Sequence, residues 1–255
     1  MESKLMFLVV CVIGCAVSCI KADGHLSTPT NLTSNITRNE CGKTKLCLDN
    51  PKGCDPSGSS QCFFTSVQII LTTFNLTVEL SGNSIGYIAL AAGVTSSVAQ
   101  GLNIIFVCGN NNGRFFFRTA TLFNNTLLTT NVPNVNNIQG SIQPSLIQCV
   151  FSIPIDTNTL NFLSNVNATN VNISNIANSQ LNVFLDMLQG STNGTVLGEP
   201  KSVFGSSVPV DLANVNSTNV VDPIANSKDS ISLNSLLSHA AICLLSIFLH
   251  LISGS

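Results

Sequence analysis

Between residues 62 and 210, apolar and polar positions alternate over short runs separated by turn-forming residues. In Leu76-Thr77-Val78-Glu79-Leu80 the alternation is strict. That spacing buries one face of an extended segment and leaves the other in water. Runs at 63–72, 74–80, 85–91, 103–108, 114–122, 146–153, 181–188 and 203–210 are rich in β-branched and aromatic residues and predict strands. Gly109-Asn110-Asn111-Asn112-Gly113 predicts a tight turn between two of them, because Gly and Asn tolerate the positive φ that such turns demand. Residues 161–178 are Asn-rich with apolar residues at about every third position. They read as a long glycosylated loop rather than a solenoid repeat. Short strands with frequent turns, and no long amphipathic helix away from the chain ends, predict an all-β fold: an antiparallel β-sandwich.

The two ends have a different pattern. Residues 5–17 are apolar apart from Gly14, follow Lys4, and bring small residues at Ala16, Ser18 and Ala22. Residues 1–22 are therefore expected to be a signal peptide, and 23–38 a polar exposed linker. Residues 236–252 are apolar apart from Ser238, His239, Ser246 and His250, with a polar spacer at 211–235 before them and no basic stop signal after them. This is the layout of a lipid-attachment (GPI) signal; Ala225 or Asn226 gives a better spacer length than Ser230, and Asn226 is taken as the expected attachment residue. The alternative is a single C-terminal helix, short for a bilayer and carrying two histidines. Either arrangement puts the domain outside the cell at the cell surface, and the lipid anchor would seat it on the outer leaflet of the plasma membrane.

Cysteine and asparagine usage point to the same compartment. Six of the ten cysteines, Cys41, Cys47, Cys54, Cys62, Cys108 and Cys149, fall in the middle of the chain. An even set there predicts three disulfides, and the spacing does not choose among the pairings. No C-x-x-C occurs, which argues against zinc. N-x-Ser/Thr sequons stand at Asn31, Asn35, Asn75, Asn124, Asn167, Asn172, Asn193 and Asn216. Charged residues make up only 9% of the 255 and the net charge is -2. No basic patch stands out, so nucleic acid is not an expected partner.

The candidate chemistry is sparse. Gly82-Asn83-Ser84-Ile85-Gly86 matches the G-x-S-x-G nucleophile elbow, but no histidine lies between His25 and His239 to act as base, and the context is a turn between strands. Asp49 and Asp55 sit in the Cys-rich stretch 41–62, where capping a turn is the usual role; calcium has no supporting spacing. Arg114, Phe116 and Arg118 share one face of a predicted strand and Phe115 and Phe117 the other. The arginine face is either a wet strand face or a grip for an anionic ligand. Phe63, Phe64, Phe106, Phe123 and Phe151 are expected in the core.

Several segments resemble a known family. Cys41-Gly42-Lys43-Thr44-Lys45-Leu46-Cys47-Leu48, then Pro51, Cys54, Pro56, Gly58 and Cys62-Phe63-Phe64, resemble the opening of the DOMON domain of ferric-chelate-reductase-like proteins. Gly86-Tyr87-Ile88, Val107-Cys108-Gly109 and Ile147-Gln148-Cys149-Val150-Phe151 resemble three of its strand motifs. The resemblance spans 39–210 and implies a DOMON-like sandwich of immunoglobulin-like architecture. It also implies departures. Full-length members continue into a cytochrome b-type membrane module, where this chain has one apolar tail. Some relatives bind haem through Met and His. Here Gln100-Gly101 stands where that family carries Met-Gly, the mature Met is Met187, and His25, His239 and His250 are expected outside the sandwich. No cofactor, no metal and no catalytic residue is therefore expected. The expected function is an extracellular, glycosylated module binding an unidentified protein or small ligand, without catalysis of its own; the alternative is a haem-binding or accessory redox domain.

Overall fold

The computed structural model describes residues 25–58, 61–93, 103–123, 126–131, 133–156, 159, 181–206, 208–217 and 221–222. The expected signal peptide, the C-terminal tail, Asn226, the sequons at Asn124, Asn167 and Asn172, and the Asn-rich loop lie outside the described residues. In chain order the strands are β1 (Thr30–Asn31), β2 (Leu46–Asn50), β3 (Phe63–Ile70), β4 (Asn75–Asn83), β5 (Tyr87–Gly93), β6 (Asn103–Asn111), β7 (Arg114–Phe123) and β8 (Thr126–Thr129). They continue with β9 (Asn136–Gln143), β10 (Leu146–Pro154), β11 (Asn182–Gly190), β12 (Thr192–Asn193), β13 (Val196–Leu197), β14 (Lys201–Ser206), β15 (Val210–Asp211) and β16 (Val221–Asp222). Among the described residues no helix is long and apolar enough to cross a membrane.

Two sheets stack. One has the order β1-β9-β10-β4-β3-β2, the other β16-β14-β11-β5-β6-β7-β8, with β15 on the end of β11 and β12–β13 a separate hairpin. All named pairings are antiparallel except β1 with β9. This is the all-β sandwich predicted, and alternation explains it. Leu76, Val78 and Leu80 of β4 and Ile147, Cys149, Phe151 and Ile153 of β10 point inward against Leu90, Phe106, Cys108 and Met187 of the other sheet. Phe151 is the centre of an aromatic group, 5.2 Å from Phe106 and 4.8 Å from Phe117 between ring centroids.

The six mid-chain cysteines pair as Cys41–Cys47, Cys54–Cys62 and Cys108–Cys149. The first two staple the loop region over the outer face of the first sheet, where Ile36, Cys47, Cys62 and Phe64 form a small buried cluster. The buried carbonyl of Pro56 accepts from both Gln148 Nε2 (3.2 Å) and Ser81 Oγ (3.3 Å), so the loop is fixed to two strands beneath it. The third disulfide joins the two sheets.

The segment expected as an exposed linker differs from that expectation. Ser27 N–H donates to Val135 O (2.9 Å), Val135 N–H to His25 O (2.8 Å), and β1 pairs with β9. Ile36 is buried. A polar composition concealed this because backbone groups, which every residue carries, make the attachment. Paired structure also runs past residue 210, through β15 and β16. Phe64 sits outside the main core, in the cluster beneath the stapled loops. Phe63 is partly buried against the core.

Candidate functional site

One end of the sandwich collects the β4–β5 turn, the β9–β10 turn and the exit of β11. There Gly86 lies so close to β11 that a Cβ would fall 2.3 Å from Gly190 O. Gly190 in turn leaves room for the Tyr87 ring, which a Cβ would approach to 2.4 Å. Tyr87 is completely buried, and its hydroxyl donates to Gly198 O at 3.0 Å. Burial, and secondarily the Glu199 carboxylate, push the Tyr87 phenol far above its ordinary pKa, so it stays a neutral donor.

Around this anchor is a groove of about 530 Å³. Asn83, Ser84 and Ile85 form one side, with Ser145 hydrogen-bonded to Asn83 and Ser84 beside them. Gln189, Ser191, Glu199 and Lys201 form the other side. Ile85 is 84% exposed on the lip. The walls combine amides, hydroxyls and one charge of each sign on loops held by rigid strands, a usual arrangement for recognition.

Ser84, the serine of the elbow-like motif, is a turn residue. Its Oγ accepts from Gly86 N–H (3.2 Å) and donates to Gly190 O (3.4 Å), while its own N–H donates to Ser145 O (2.8 Å). The hydroxyl is occupied in holding the β4–β5 turn against β11 and the β9–β10 turn.

The other sequence candidates are dispersed. Asp49 pairs with Arg38 and accepts from Gly53 N–H (2.8 Å). Asp55 accepts from the backbone and hydroxyl of Ser57, which lowers its pKa. Among the described residues no group of three or more His, Cys, Asp or Glu could hold a metal ion. Asn31, Asn35, Asn193 and Asn216 are exposed, and Asn75 is half-buried at the start of β4. Arg114 is exposed and Arg118 half-buried on the outer face of β7, while Phe117 belongs to the core.

A haem held by Met and His does not fit these residues. His25, expected outside the sandwich, instead docks on it: its Nε2 lies 3.0 Å from Thr119 Oγ1. Thr119 Oγ1 in turn donates to Thr130 O (2.8 Å). Met187 is completely buried. The strand registers Met187↔Leu90, Leu90↔Phe106 and Phe106↔Thr119 put these residues in one row across the sheet. Three steps of about 4.8 Å separate Met187 from Thr119 by about 14 Å, with Leu90 and Phe106 filling the space between. Leu90 and Phe106, both packed in the buried core, occupy the space that a haem ligated from the two ends of that row would need.

Sequence reasoning missed the groove. Gly190, which lines it, and Gly198 beside it meet Tyr87 only in three dimensions. Glycine in a strand marks close approach, but the approaching partner is far away in the chain.

Fold and site together define a disulfide-stapled antiparallel β-sandwich with a polar groove at one end. No family model matches the chain. It is 29% identical over 152 residues to putative ferric-chelate reductase 1 of Danio rerio, a match covering 58% of this chain and 25% of that one. It is 34% identical over 62 residues to ferric-chelate reductase 1 of Homo sapiens, covering 24% of this chain and 10% of the other. The chain thus matches a quarter or less of these relatives' length, a distant and partial relationship to ferric-chelate-reductase-like sequences. Among solved structures, the cytochrome domain of Myriococcum thermophilum cellobiose dehydrogenase superposes with a TM-score of 0.39 at 7% identity, covering 63% of this chain and 82% of that one.

Proposed function

We propose that this protein is an extracellular, N-glycosylated, membrane-attached DOMON-like module that binds a ligand or partner protein without catalysis of its own. The observation that carries the reading is the end groove, in which amide, hydroxyl and charged side chains converge on loops fixed by the Tyr87, Gly86 and Gly190 contacts. The three disulfides are consistent with an oxidising, secretory location, and the exposed sequons support glycosylation. The composition of the tail supports attachment through a lipid at Asn226.

A second reading, an accessory redox or haem-binding domain, is favoured by the relationship to ferric-chelate reductases. The separation of Met187 from Thr119 and its bound His25 weighs against it. One experiment separates the two. The full chain is expressed on cells, treated with phosphatidylinositol-specific phospholipase C, and the released protein is scanned through the Soret region. Release with a flat spectrum is the expected result. Retention on the cells would refute the lipid anchor, and a Soret band would refute the cofactor-free binding module.

A further inference from the structure

Arg114, Phe116 and Arg118 occupy alternate positions of β7 and share its outer face. Across the ladder they stand opposite Asn111, Gly109 and Val107 of β6. The absence of a side chain at Gly109 seats the Phe116 ring on the sheet, since a Cβ there would lie 2.1 Å from the ring. Over that ring, at 5.9 Å from its centroid, lies the Arg118 guanidinium. Stacking of this kind orders an arginine while leaving the edge of its fork free to donate. The ion pairs among the described residues are Arg38–Asp49 and Lys45–Glu79, so neither β7 arginine has an acidic partner among those residues.

We propose that this strand face binds a linear sulfated polysaccharide running along β7, with Arg114 and Arg118 each gripping an anionic group. Four residues of strand at about 3.3 Å each place the two Cα atoms about 13 Å apart, a spacing that a chain with repeated anions can match. Planar guanidinium groups pair with such oxyanions through two parallel hydrogen bonds. The accessible face is three side chains of one strand, because Val107 opposite Arg118 and Ala120 two positions further along β7 are completely buried in an apolar cluster, while a stable protein partner needs about 800 Å² from each side. A narrow, extended polyanion suits that area and charge better than a folded acidic protein. The inference rests on the extracellular placement proposed above and is independent of the groove and of the mode of attachment.

The test uses the full chain, purified in detergent from expressing cells, on immobilised heparin with a salt gradient. Retention and salt-dependent elution are expected. R114Q/R118Q should bind at least about tenfold more weakly, having lost two charge-assisted donors. K43Q/K52Q removes the same charge from two exposed lysines elsewhere and should bind like the unaltered protein. R114K/R118K keeps the charge and loses the planar forks, and should fall between. Free heparin should displace the protein and polyglutamate should not. Absence of retention would overturn the proposal. Equal losses in R114Q/R118Q and K43Q/K52Q would do the same, because binding would then follow overall charge. Equal displacement by polyglutamate would assign the face to an acidic protein segment instead. Should R114Q/R118Q fail to fold, R114K/R118K carries the test, and binding equal to the unaltered protein would refute the arginine grip.

Discussion

Cys149 of β10 is bonded to Cys108 of β6, so a single covalent link ties one sheet of the sandwich to the other, with both residues completely buried. It lies in the same buried cluster as Phe106, Phe117 and Phe151. The bond closes a segment with a sequence separation of 41, whereas Cys41–Cys47 spans 6. Because chain-entropy stabilisation grows with the closed loop, C108A/C149A should cost about 4 kcal/mol and C41A/C47A about 2 kcal/mol. Urea unfolding of each double variant checks the order. A larger loss from C41A/C47A would mean that the stapled loop, rather than the link between sheets, dominates stability.

Asp186 lies on β11 and accepts from Ser202 Oγ at 2.6 Å. Burial pushes its carboxyl up to about 6, an effect only partly offset by the Ser202 bond. A carboxyl raised in the folded state binds its proton more tightly there than in the unfolded chain. The native state is thus favoured at low pH, and that contribution declines as pH rises from about 4 through about 6. D186N should therefore be more stable than the unaltered protein at pH 8, by about 2–3 kcal/mol, and close to it near pH 4. Thermal melts at the two pH values decide this; a D186N advantage that does not change with pH would contradict it.

Ser84 holds a turn through Gly86 N–H and Gly190 O. S84A should lower stability by about 0.5–1.5 kcal/mol, the usual net worth of such bonds. The unaltered protein should not be labelled by a fluorophosphonate probe, because no base polarises this hydroxyl. Labelling that disappears in S84A would restore the nucleophile.

The inward face of β4 was legible because one side of that strand is dry and the other wet, which writes the period of two directly into Leu76, Val78 and Leu80. Strand β9 was not legible. Asn136-Asn137-Ile138-Gln139-Gly140-Ser141-Ile142-Gln143 is rich in residues that strands disfavour, and its state is imposed by pairing with β10. Gly140 is required there because a Cβ would lie 2.3 Å from the Phe115 ring, a neighbour that no local window contains. Strand β2 was hidden in the same way, inside a stretch whose cysteines and prolines signal loop. At the candidate site the local motif was visible in Gly82–Gly86 and, with no histidine in reach along the sequence, reads as a turn; the packing role of Gly86 was not legible, because the chain it meets at Gly190 is far away in sequence.

Sequon use should follow exposure. Asn193 lies in the β12–β13 hairpin beside Gly194, whose φ is positive, and Asn31, Asn35 and Asn216 are also exposed. Asn75 is half-buried and paired on both sides, with Ile70 and with Pro154. Site-resolved mass spectrometry of the enzymatically deglycosylated protein should therefore find Asn31, Asn35, Asn193 and Asn216 occupied to a greater extent than Asn75. Full occupancy at Asn75 would show that glycan transfer precedes pairing of β4.

Lys45 and Glu79 form a pair 2.9 Å apart, with their side chains 12% and 21% exposed. Neither stands alone. Ser66 Oγ donates to the same Glu79 oxygen at 2.6 Å, and Lys45 also donates to Thr37 O at 3.3 Å, tying the N-terminal segment to the sheet. Removing one partner from a largely desolvated pair leaves an uncompensated charge, so K45M should cost about 2–3 kcal/mol, somewhat below the fully buried case. Replacing both should be milder than the single change predicts, because K45M/E79Q leaves no orphaned charge. The Ser66 donor and the lost bond to Thr37 keep the double variant below the unaltered protein. Chemical denaturation of the four proteins yields the coupling energy, which should be at least about 1 kcal/mol. A coupling near zero would place Lys45 and Glu79 among exposed pairs that contribute little, and the hold on residue 37 would then rest on Thr37 O alone.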